Sequence, residues 1–391
     1  MNNNNFYLNT SYRGVLGNNW SLQTGLSYTF ADTDLGIQMS DINDVENSAH
    51  LKLKLRKRFN SRFKLSFGAE QFITDFKENY KDDSIDETYG YTNNITAAFA
   101  EADLIFSKKL ALKVGLRADY SSIFNTTDIA PRAAIAYKSS ENGQFSLAYG
   151  NFFQNPNRAV LKFYQDLKVE QASHYIVNYQ YVNNGKIFRA EAYRKDYDNL
   201  VKFDTQFESY DTQFNSSGYG YAQGVDVFWR DNTSIKNVDY WASYSFLDTE
   251  RDYKNFETSA QPNYASKHNL SIVGKYWIED WKSQVGLSYV FSSGRPYTNP
   301  NTNEFLNERT KSFNSLSVNW AYLLSPQKIL YFSVNNVLRF KNINDYQYAN
   351  TPDLNGQFSR RALTPAADQF FFVGFFWTIS EDSSDNQLDN L

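Results

Sequence analysis

Three basic side chains alternate with leucine in one short segment of the chain. The segment Leu51–Arg56 reads LKLKLR, so leucines separate Lys52, Lys54 and Arg56. In a β-strand successive side chains point to opposite faces, so the three cations share one face and the leucines share the other. Such a row of cations could contact a polar ligand directly, or could form ion pairs that hold another part of the protein.

Charged residues on other predicted strands follow the same alternation. Because they carry both signs, together with the cations of Leu51–Arg56 they predict a mixed polar wall that faces a water-containing interior. These further residues are Glu70, Lys113, Arg117, Asp119, Arg189 and Glu191.

Aromatic residues in the long polar segments form a second set of candidate ligand contacts. They could grip a ligand, or they could pack the connecting loops against one another, and both interpretations stay open. The candidates are Tyr164, Tyr210, Tyr297, Phe305, Tyr346 and Tyr348.

The residue types that most catalytic and metal sites need are scarce in this chain. Cysteine is absent, and the 3 histidines, His50, His174 and His268, lie in unrelated segments without ligand spacing. The acidic segments Asp41–Glu46 and Lys81–Glu87 lack the spacing and the glycine of an EF-hand, so we interpret them as solvated loop charge. We therefore expect no enzyme activity and no cofactor. The net charge of −4 gives no indication of a nucleic-acid partner.

About 17 segments of alternating apolar and polar residues follow one another along the chain. Leu110–Tyr120, LALKVGLRADY, is typical, with Lys113 and Arg117 on its polar face. One soluble core could not absorb so many long strands whose second face carries charge. The pattern predicts an all-β fold, an antiparallel transmembrane barrel with lipid outside and water inside.

The connections between these segments are alternately short and long. Phe59–Ser61, Ser107–Lys109 and Asn183–Gly185 are predicted to be tight turns, whereas Ala31–Ser48 and Phe76–Gly90 are predicted to be long polar loops. Short turns on one side and long loops on the other are typical of a bacterial outer-membrane barrel, with the turns in the periplasm.

The 7 tryptophans all lie within about four residues of a short turn or of the end of the last strand. Trp241 and Trp277 have the parity of the polar face, so they are predicted to face the lumen or to lie in a bulge. The other five predict a belt at one membrane interface, although tryptophan also simply favours strands. The predicted belt residues are Trp20, Trp229, Trp281, Trp320 and Trp377.

The strand count and the chain start bear on how the barrel is completed. If the last strand ends in the periplasm, an odd number of strands places the start of the chain outside the cell. A complete single-chain bacterial barrel has an even number of strands, so both of its ends lie in the periplasm. The start, MNNNN, has none of the features of a signal peptide. We therefore expect residues 1–379 to be the C-terminal portion of a larger barrel and residues 380–391 to be a disordered acidic tail.

Several segments, in order, resemble the barrel of TonB-dependent receptors, particularly the Bacteroidetes type. These are ALKVGLRADYSS with APRAAIAYKSS, then GNFFQNPNRAV, YAQGVDVFWR and QFFFVGFFWTIS, and the resemblance extends over Tyr91–Ile379. It implies a bacterial outer-membrane receptor for active uptake of a scarce ligand: a siderophore, a cobalamin-like molecule or a glycan. The barrel of this family has 22 strands and is plugged.

The resemblance also implies partners. Besides the lipid of the outer membrane they are a plug domain and TonB, and neither the plug nor a coupling box is present in this sequence. Under this interpretation the polar wall docks the plug more readily than it contacts the ligand.

Two other functions compete with this one. An ungated porin or structural barrel would have a constriction loop folded inward and no wall for a plug. A cell-surface adhesion or lectin-like protein would instead pair its apolar faces in a sandwich.

Overall fold

The computed structural model describes residues 1–37, 40–302, 304–380 and 388, which form β-strands and one short helix. Within them no helix is both long enough and apolar enough to cross a membrane. The elements are β1 (Asn2–Gly17), β2 (Trp20–Ile37), β3 (Ser40–Arg58), β4 (Phe63–Lys81), β5 (Asp86–Ile105), β6 (Leu110–Ser121), β7 (Thr126–Lys138), β8 (Gly143–Gln154), α1 (Arg158–Leu161), β9 (Glu170–Asn183), β10 (Lys186–Phe203), β11 (Phe214–Asp231), β12 (Val238–Asp252), β13 (His268–Ile278), β14 (Ser283–Ser292), β15 (Pro296–Tyr297), β16 (Glu308–Arg309), β17 (Phe313–Ser325), β18 (Lys328–Asn335), β19 (Asp345–Tyr348), β20 (Arg360–Leu363) and β21 (Phe370–Trp377).

Seventeen of these strands form one antiparallel sheet in which each strand pairs with the next one along the chain. The sheet runs from β1 to β14 and continues through β17, β18 and β21. The remaining four strands make two small hairpins, β15 with β16 and β19 with β20, inside long connections. The predicted all-β antiparallel fold and the number of strands are confirmed.

One face of this sheet is apolar and uncovered. Leu116 and Leu147 are each 53% exposed and Val177 is 50% exposed, although all three are aliphatic. A second protein layer packed on this face would have buried such large aliphatic side chains, so their exposure shows that no protein layer of the described chain covers them. We call this face the outer face and the opposite face, which carries Lys52 and Glu70, the inner face. The sandwich alternative required the apolar faces to be paired, and they are not.

Two of the predicted loops were wrong. Most of Ala31–Ser48 continues as the paired strands β2 and β3, and most of Phe76–Gly90 as β4 and β5. Polar side chains support the pairing there, because the Asn43 amide donates hydrogen bonds to Asp32 at 2.8 Å and Asp34 at 2.7 Å. The apolar alternation stops where both faces become polar, but the backbone ladder continues.

The connection between β8 and β9, residues 155–169, folds onto the inner face, and we call it the strap. Arg158 of the strap lies 3.1 Å from Glu46 on β3, which shares the parity of Lys52. Val160 of the strap is 3% exposed and belongs to a cluster with Val201 on β10 and Phe214 on β11. A short segment can touch strands this far apart only if the inner face is concave.

The two edge strands of the sheet run in the same direction. Both β1 and β21 run towards the end of the sheet that carries the short turns, and no ladder joins them in the part of the chain described. An antiparallel pair between them is impossible, so a closed antiparallel barrel would need an odd number of further strands between them. The boundary at residue 379 stays a prediction, and the predicted tail lies outside the described residues except for Ser380 and Leu388.

Adjacent residues of β8 test which face meets hydrocarbon. Leu147 lies on the outer face and Ser146 on the inner face. We expect Leu147→Arg to destabilise the folded protein in lipid by about 2–4 kcal/mol, because a charge would enter hydrocarbon. The matched Ser146→Arg variant should cost less than about 1 kcal/mol, measured as denaturant midpoints in lipid vesicles. Equal effects of the two variants would contradict the assignment of the faces.

Candidate functional site

The strand register places all nine predicted wall residues on the inner face. Lys52 pairs with Glu70, and the register then passes through Ala97 to Asp119. It continues across β7, β8 and β9 to β10, where Arg189 and Glu191 lie on the same face. The structure therefore brings the nine residues together along one concave surface.

Four of the nine form a compact charge network on β3, β4 and β6. The Glu70 carboxylate lies 2.5 Å from Lys52 Nζ and 2.8 Å from Arg117 Nη1. Arg117 also lies 2.7 Å from Asp119. Glu70 is only 7% exposed, so the two cations neutralise a largely buried charge.

Lys113 extends this neutralised region by one further pair of acids. Its ammonium lies 3.1 Å from Glu101 and 3.4 Å from Asp103 on β5. We call these seven ion-paired residues on the inner face of β3 to β6 the paired wall. Because its charges already have partners, it presents a polar but nearly neutral surface to whatever lies in the lumen.

The other four predicted wall residues are less constrained. Arg56 donates to Ser66 at 3.1 Å, and Glu191 accepts a long hydrogen bond of 3.4 Å from Asn178. Lys54 and Arg189 have no carboxylate within ion-pair distance among the described residues. These two cations remain available to a partner.

A second group of inner-face cations, which the sequence analysis missed, rests on aromatic rings instead of carboxylates. The Arg132 guanidinium lies 4.5 Å from the Phe152 ring centroid, and Lys195 Nζ lies 5.3 Å from that of Tyr193. Neither cation has a carboxylate within ion-pair distance in the described part of the chain. The alternation of charged and apolar residues in β7 and β10 was the signal that could have found them.

Arg251 is the most enclosed of these cations. Its guanidinium lies 4.4 Å from the ring centroid of Tyr197, 5.6 Å from that of Tyr253 and 6.0 Å from that of Tyr264. Its Nε is shielded from solvent and has no acceptor within the described residues. Burial, reinforced by Tyr264, raises the pKa of Tyr253, so this phenol stays neutral. The sequence analysis did not single out Arg251, which lies next to the last residue of β12.

The predicted loop aromatics separate into two groups. Tyr164 of the strap stacks on Phe214 at 6.1 Å between centroids, and Tyr210 stacks on Tyr89 at 6.4 Å. In the second group, the Phe305 ring contacts the Phe256 ring edge to face, with 4.9 Å between the ring centroids. Each of these rings contacts another ring from a different connection or strand, so loop packing accounts for at least part of their role.

Tyr297 joins two loops that are far apart in sequence. It is 6% exposed, donates a hydrogen bond to Glu308 and lies 4.8 Å from the ring centroid of Tyr346. Arg360 donates to the Tyr297 hydroxyl at 3.0 Å and lies 4.4 Å from the Tyr346 ring. Tyr348 lies 6.5 Å from Tyr297, ring to ring. We call this contact between the loop of β15 and β16 and the loop of β19 and β20 the loop brace.

The tryptophans of the predicted belt lie at the end of the sheet that carries the short turns. Trp229, Trp320 and Trp377 are on the outer face by register, and Trp281 is in the turn between β13 and β14. Trp20 opens β2 and its ring faces the Lys57 ammonium at 5.0 Å. Their contact with a membrane interface stays a prediction.

Within the described residues there is no group of three or more His, Asp or Glu side chains that could hold a metal ion. The arrangement that remains is a concave, polar, partly neutralised wall with an aromatic and cationic side and braced loops above it. The chemistry that such a surface offers is non-covalent binding, through hydrogen bonds, ion pairs and contacts with aromatic rings.

A family model described as TonB dependent receptor-like, beta-barrel, matches residues 1–337. The chain belongs to the TonB-dependent receptor β-barrel family. Barrels of this family lie in the outer membrane of Gram-negative bacteria, so the short turns of this TonB-dependent receptor barrel are periplasmic and its long connections extracellular. A comparison with curated protein sequences returns no match.

Solved structures of similar fold are themselves transport receptors. The ferric-catecholate import receptor Fiu from K12 E. coli has a TM-score of 0.71 at 10% identity, over 96% of this chain and 64% of Fiu. The FrpB iron transporter from Neisseria meningitidis has a TM-score of 0.73 at 12% identity, over 95% of this chain and 62% of FrpB. The ferric citrate transporter FecA has a TM-score of 0.69 at 13% identity, over 96% of this chain and 61% of FecA. The chain thus spans less than two thirds of the length of each.

The paired wall makes a stability prediction with an internal control. Glu70→Gln removes the acid shared by Lys52 and Arg117, so we expect a loss of about 1–3 kcal/mol in the free energy of unfolding. Glu101→Gln should cost less than about 1 kcal/mol, because Lys113 keeps Asp103 and the site is more exposed. Denaturant unfolding of both variants in lipid or detergent measures the difference, and a smaller loss for Glu70→Gln than for Glu101→Gln would contradict the network.

The loop brace makes a pH prediction. Hydrogen bonds from Tyr297 and Asn299 lower the pKa of Glu308 below its ordinary value of 4.5. The stabilisation by this carboxylate is therefore fully present above that ordinary value and is lost only as the pH falls through the lowered pKa. We expect the distance between spin labels at Glu304→Cys and Leu354→Cys to stay constant from neutral pH to about pH 5 and to change below pH 4.

The same labels in a Glu308→Gln background serve as the control. That variant has no carboxylate at position 308 to titrate, so its label distance should depend on pH much less than that of the unmodified brace over this range. An unmodified brace that already opens at about pH 5 would show that Glu308 does not hold it.

Proposed function

We propose that this chain forms the wall and the extracellular mouth of a receptor that takes up a scarce ligand across the outer membrane with energy supplied through TonB. Membership of the family supports this proposal, as do structural neighbours named for the import of ferric ligands. Among a siderophore, a cobalamin-like molecule and a glycan, we propose an anionic metal chelate of the siderophore kind.

The observation that carries the choice of ligand is the environment of Arg251. A guanidinium without a carboxylate, held among three tyrosine rings on the inner face, is suited to an anionic ligand with planar groups. Arg132 and Lys195, which also lack carboxylate partners, lie on the same inner face between β7 and β10. An anion that descends from the extracellular loops would meet these three cations, none of which has a carboxylate within ion-pair distance among the described residues.

We assign the nine predicted wall residues to docking of the plug. A neutralised, hydrogen-bonding surface suits a protein domain that must fit closely without leaving charges unpaired. Lys54 and Arg189, which lack ion-pair partners among the described residues, would meet acidic groups of the plug. For the loop aromatics we propose ligand contact by Tyr164 and Tyr210, which are 37% and 61% exposed, and a bracing role for Tyr297, Tyr346 and Tyr348.

One observation favours the second candidate, an ungated porin. The strap folds inward onto the concave face, as a constriction loop does, with Arg158 on Glu46 and with Lys162 Nζ at 2.5 Å from Glu78. The two functions differ in their need for energy. Uptake that stops when TonB is removed or a protonophore is added supports the receptor, whereas uptake that persists supports the porin.

Growth of cells with and without the gene tests the substrate. We expect loss of the gene to reduce growth on limiting ferric chelate and to leave growth on limiting glycan unchanged. The opposite outcome would assign the receptor to a glycan.

Arg251 and Arg194 form a matched pair for a more local test. Arg194 lies 4.7 Å from the Tyr221 ring but pairs with Asp196 and points to the outer face. We expect Arg251→Gln to raise the half-saturating concentration for uptake of the ferric chelate about tenfold or more, since a charge-assisted contact is lost. Arg194→Gln should change it less than about twofold. An equal change in the half-saturating concentration for both variants would show that Arg251 does not contact the ligand.

A further inference from the structure

The inner face carries a cavity of about 700 Å³ at its periplasmic end. It opens beside the turns that join β11 to β12 and β13 to β14. The residues that matter here are Phe228, Arg230, Asp239, Trp241, Lys275 and Trp277.

The two tryptophans of this cavity are those whose parity excluded them from the belt. Trp241 pairs with Arg230 across β11 and β12, and Trp277 pairs with Gln284 across β13 and β14. The register places all four on the inner face. These indoles therefore face the lumen, and the preference of tryptophan for lipid interfaces does not account for them.

The charges of the cavity are unevenly paired. Arg230 holds both oxygens of Asp239, at 3.0 and 2.6 Å. Lys275, the register partner of Asp239, is left with no carboxylate within ion-pair distance among the residues that the structure describes. The cavity thus presents one cation without a counter-charge.

The other partnerless polar groups here are hydrogen-bond donors. Gln284 Nε2 is shielded from solvent and has no acceptor within the described chain. The indole N–H groups of Trp241 and Trp277 also have no acceptor there. A complementary molecule must supply acceptors, at least one negative charge, and flat groups that can lie on indole rings.

An extended acidic peptide meets all three requirements. Its backbone carbonyls accept from the indole and amide donors, a Glu or Asp side chain neutralises Lys275, and its peptide planes stack on the two rings. We propose that this cavity binds an acidic peptide segment that enters the barrel from its periplasmic end. The proposal concerns a protein partner and is independent of the identity of the transported ligand.

Binding to the full chain in detergent or nanodiscs tests the proposal. The probe is a short dye-labelled peptide of Glu, Ser and Gly, followed by fluorescence anisotropy, beside the same peptide with Gln or Lys in place of Glu. We expect the Glu peptide to bind at least about tenfold more tightly than the Gln peptide and to weaken as salt is added. A neutral oligosaccharide forms a further arm, because tryptophan rings also stack on sugars.

Matched variants locate the binding. Lys275→Glu and Trp277→Ala should each weaken the Glu peptide about tenfold. Lys64→Glu, at another inner-face lysine without an ion-pair partner among the described residues, and Trp229→Ala, at an outer-face tryptophan of the same rim, should change the affinity less than about twofold. Heat modifiability of each variant checks that the barrel still forms.

A second measurement does not depend on affinity. The chain contains no cysteine, so Trp277→Cys supplies a single thiol inside the cavity. Its labelling by a bulky maleimide should slow when the Glu peptide is added, whereas labelling of Trp229→Cys should not.

Three results would overturn the proposal: equal binding of the Glu and Gln peptides, equal loss in Lys275→Glu and Lys64→Glu, or binding of the oligosaccharide with no binding of the peptide. None of them would bear on energy-dependent uptake, because that assay measures the transported ligand. Conversely, a failure of uptake would leave peptide binding at the periplasmic end intact.

Discussion

The constraint on which this structure depends is the pairing of backbone polar groups in a medium without water. Each unpaired N–H or C=O in hydrocarbon costs several kcal/mol, so strands that cross a bilayer must lie beside other strands along their whole length. The sheet meets this condition everywhere except along the outer edges of β1 and β21, because each of its seventeen strands pairs with the next sheet strand along the chain. The side chains then divide between the two faces by parity alone, and the division determines what each face can do.

On the inner face the same parity concentrates charge, and the chain treats that charge in two ways. From β3 to β6 Lys52, Lys113 and Arg117 pair with carboxylates, and Glu70 between Lys52 and Arg117 is the most buried example. From β7 to β12 Arg132, Lys195 and Arg251 lie on aromatic rings without a carboxylate within ion-pair distance among the described residues, although Arg230 pairs with Asp239. A lumen that was neutralised throughout could hold a plug but would offer little attraction to an anionic ligand. The uneven distribution allows both roles on one surface.

Much of this was accessible from the sequence because the period of a strand is two. Alternation in segments such as LKLKLR gave the faces, the number of strands and the inward direction of all nine wall residues. It failed where the outer face also becomes polar, so β2 to β5 are longer than the predicted loops allowed, and it did not single out Arg251 near the end of β12. The strap and the loop brace could not be predicted, because contacts such as Arg158 with Glu46 join residues far apart in sequence with no periodic signal. Trp241 and Trp277 were predicted in part: strand parity indicated that they face the lumen, but it did not indicate the cavity that they line.

The common direction of β1 and β21 limits how copies of this chain can assemble side by side. Two molecules inserted into a membrane the same way up differ only by a rotation about the membrane normal, which leaves the direction of every strand unchanged. Whichever free margins they bring together, the backbones there run parallel, and the antiparallel ladder that builds the rest of the sheet cannot continue from one molecule into the next. Lateral fusion into ribbons, the usual hazard of an open β-sheet, is therefore disfavoured by strand polarity alone.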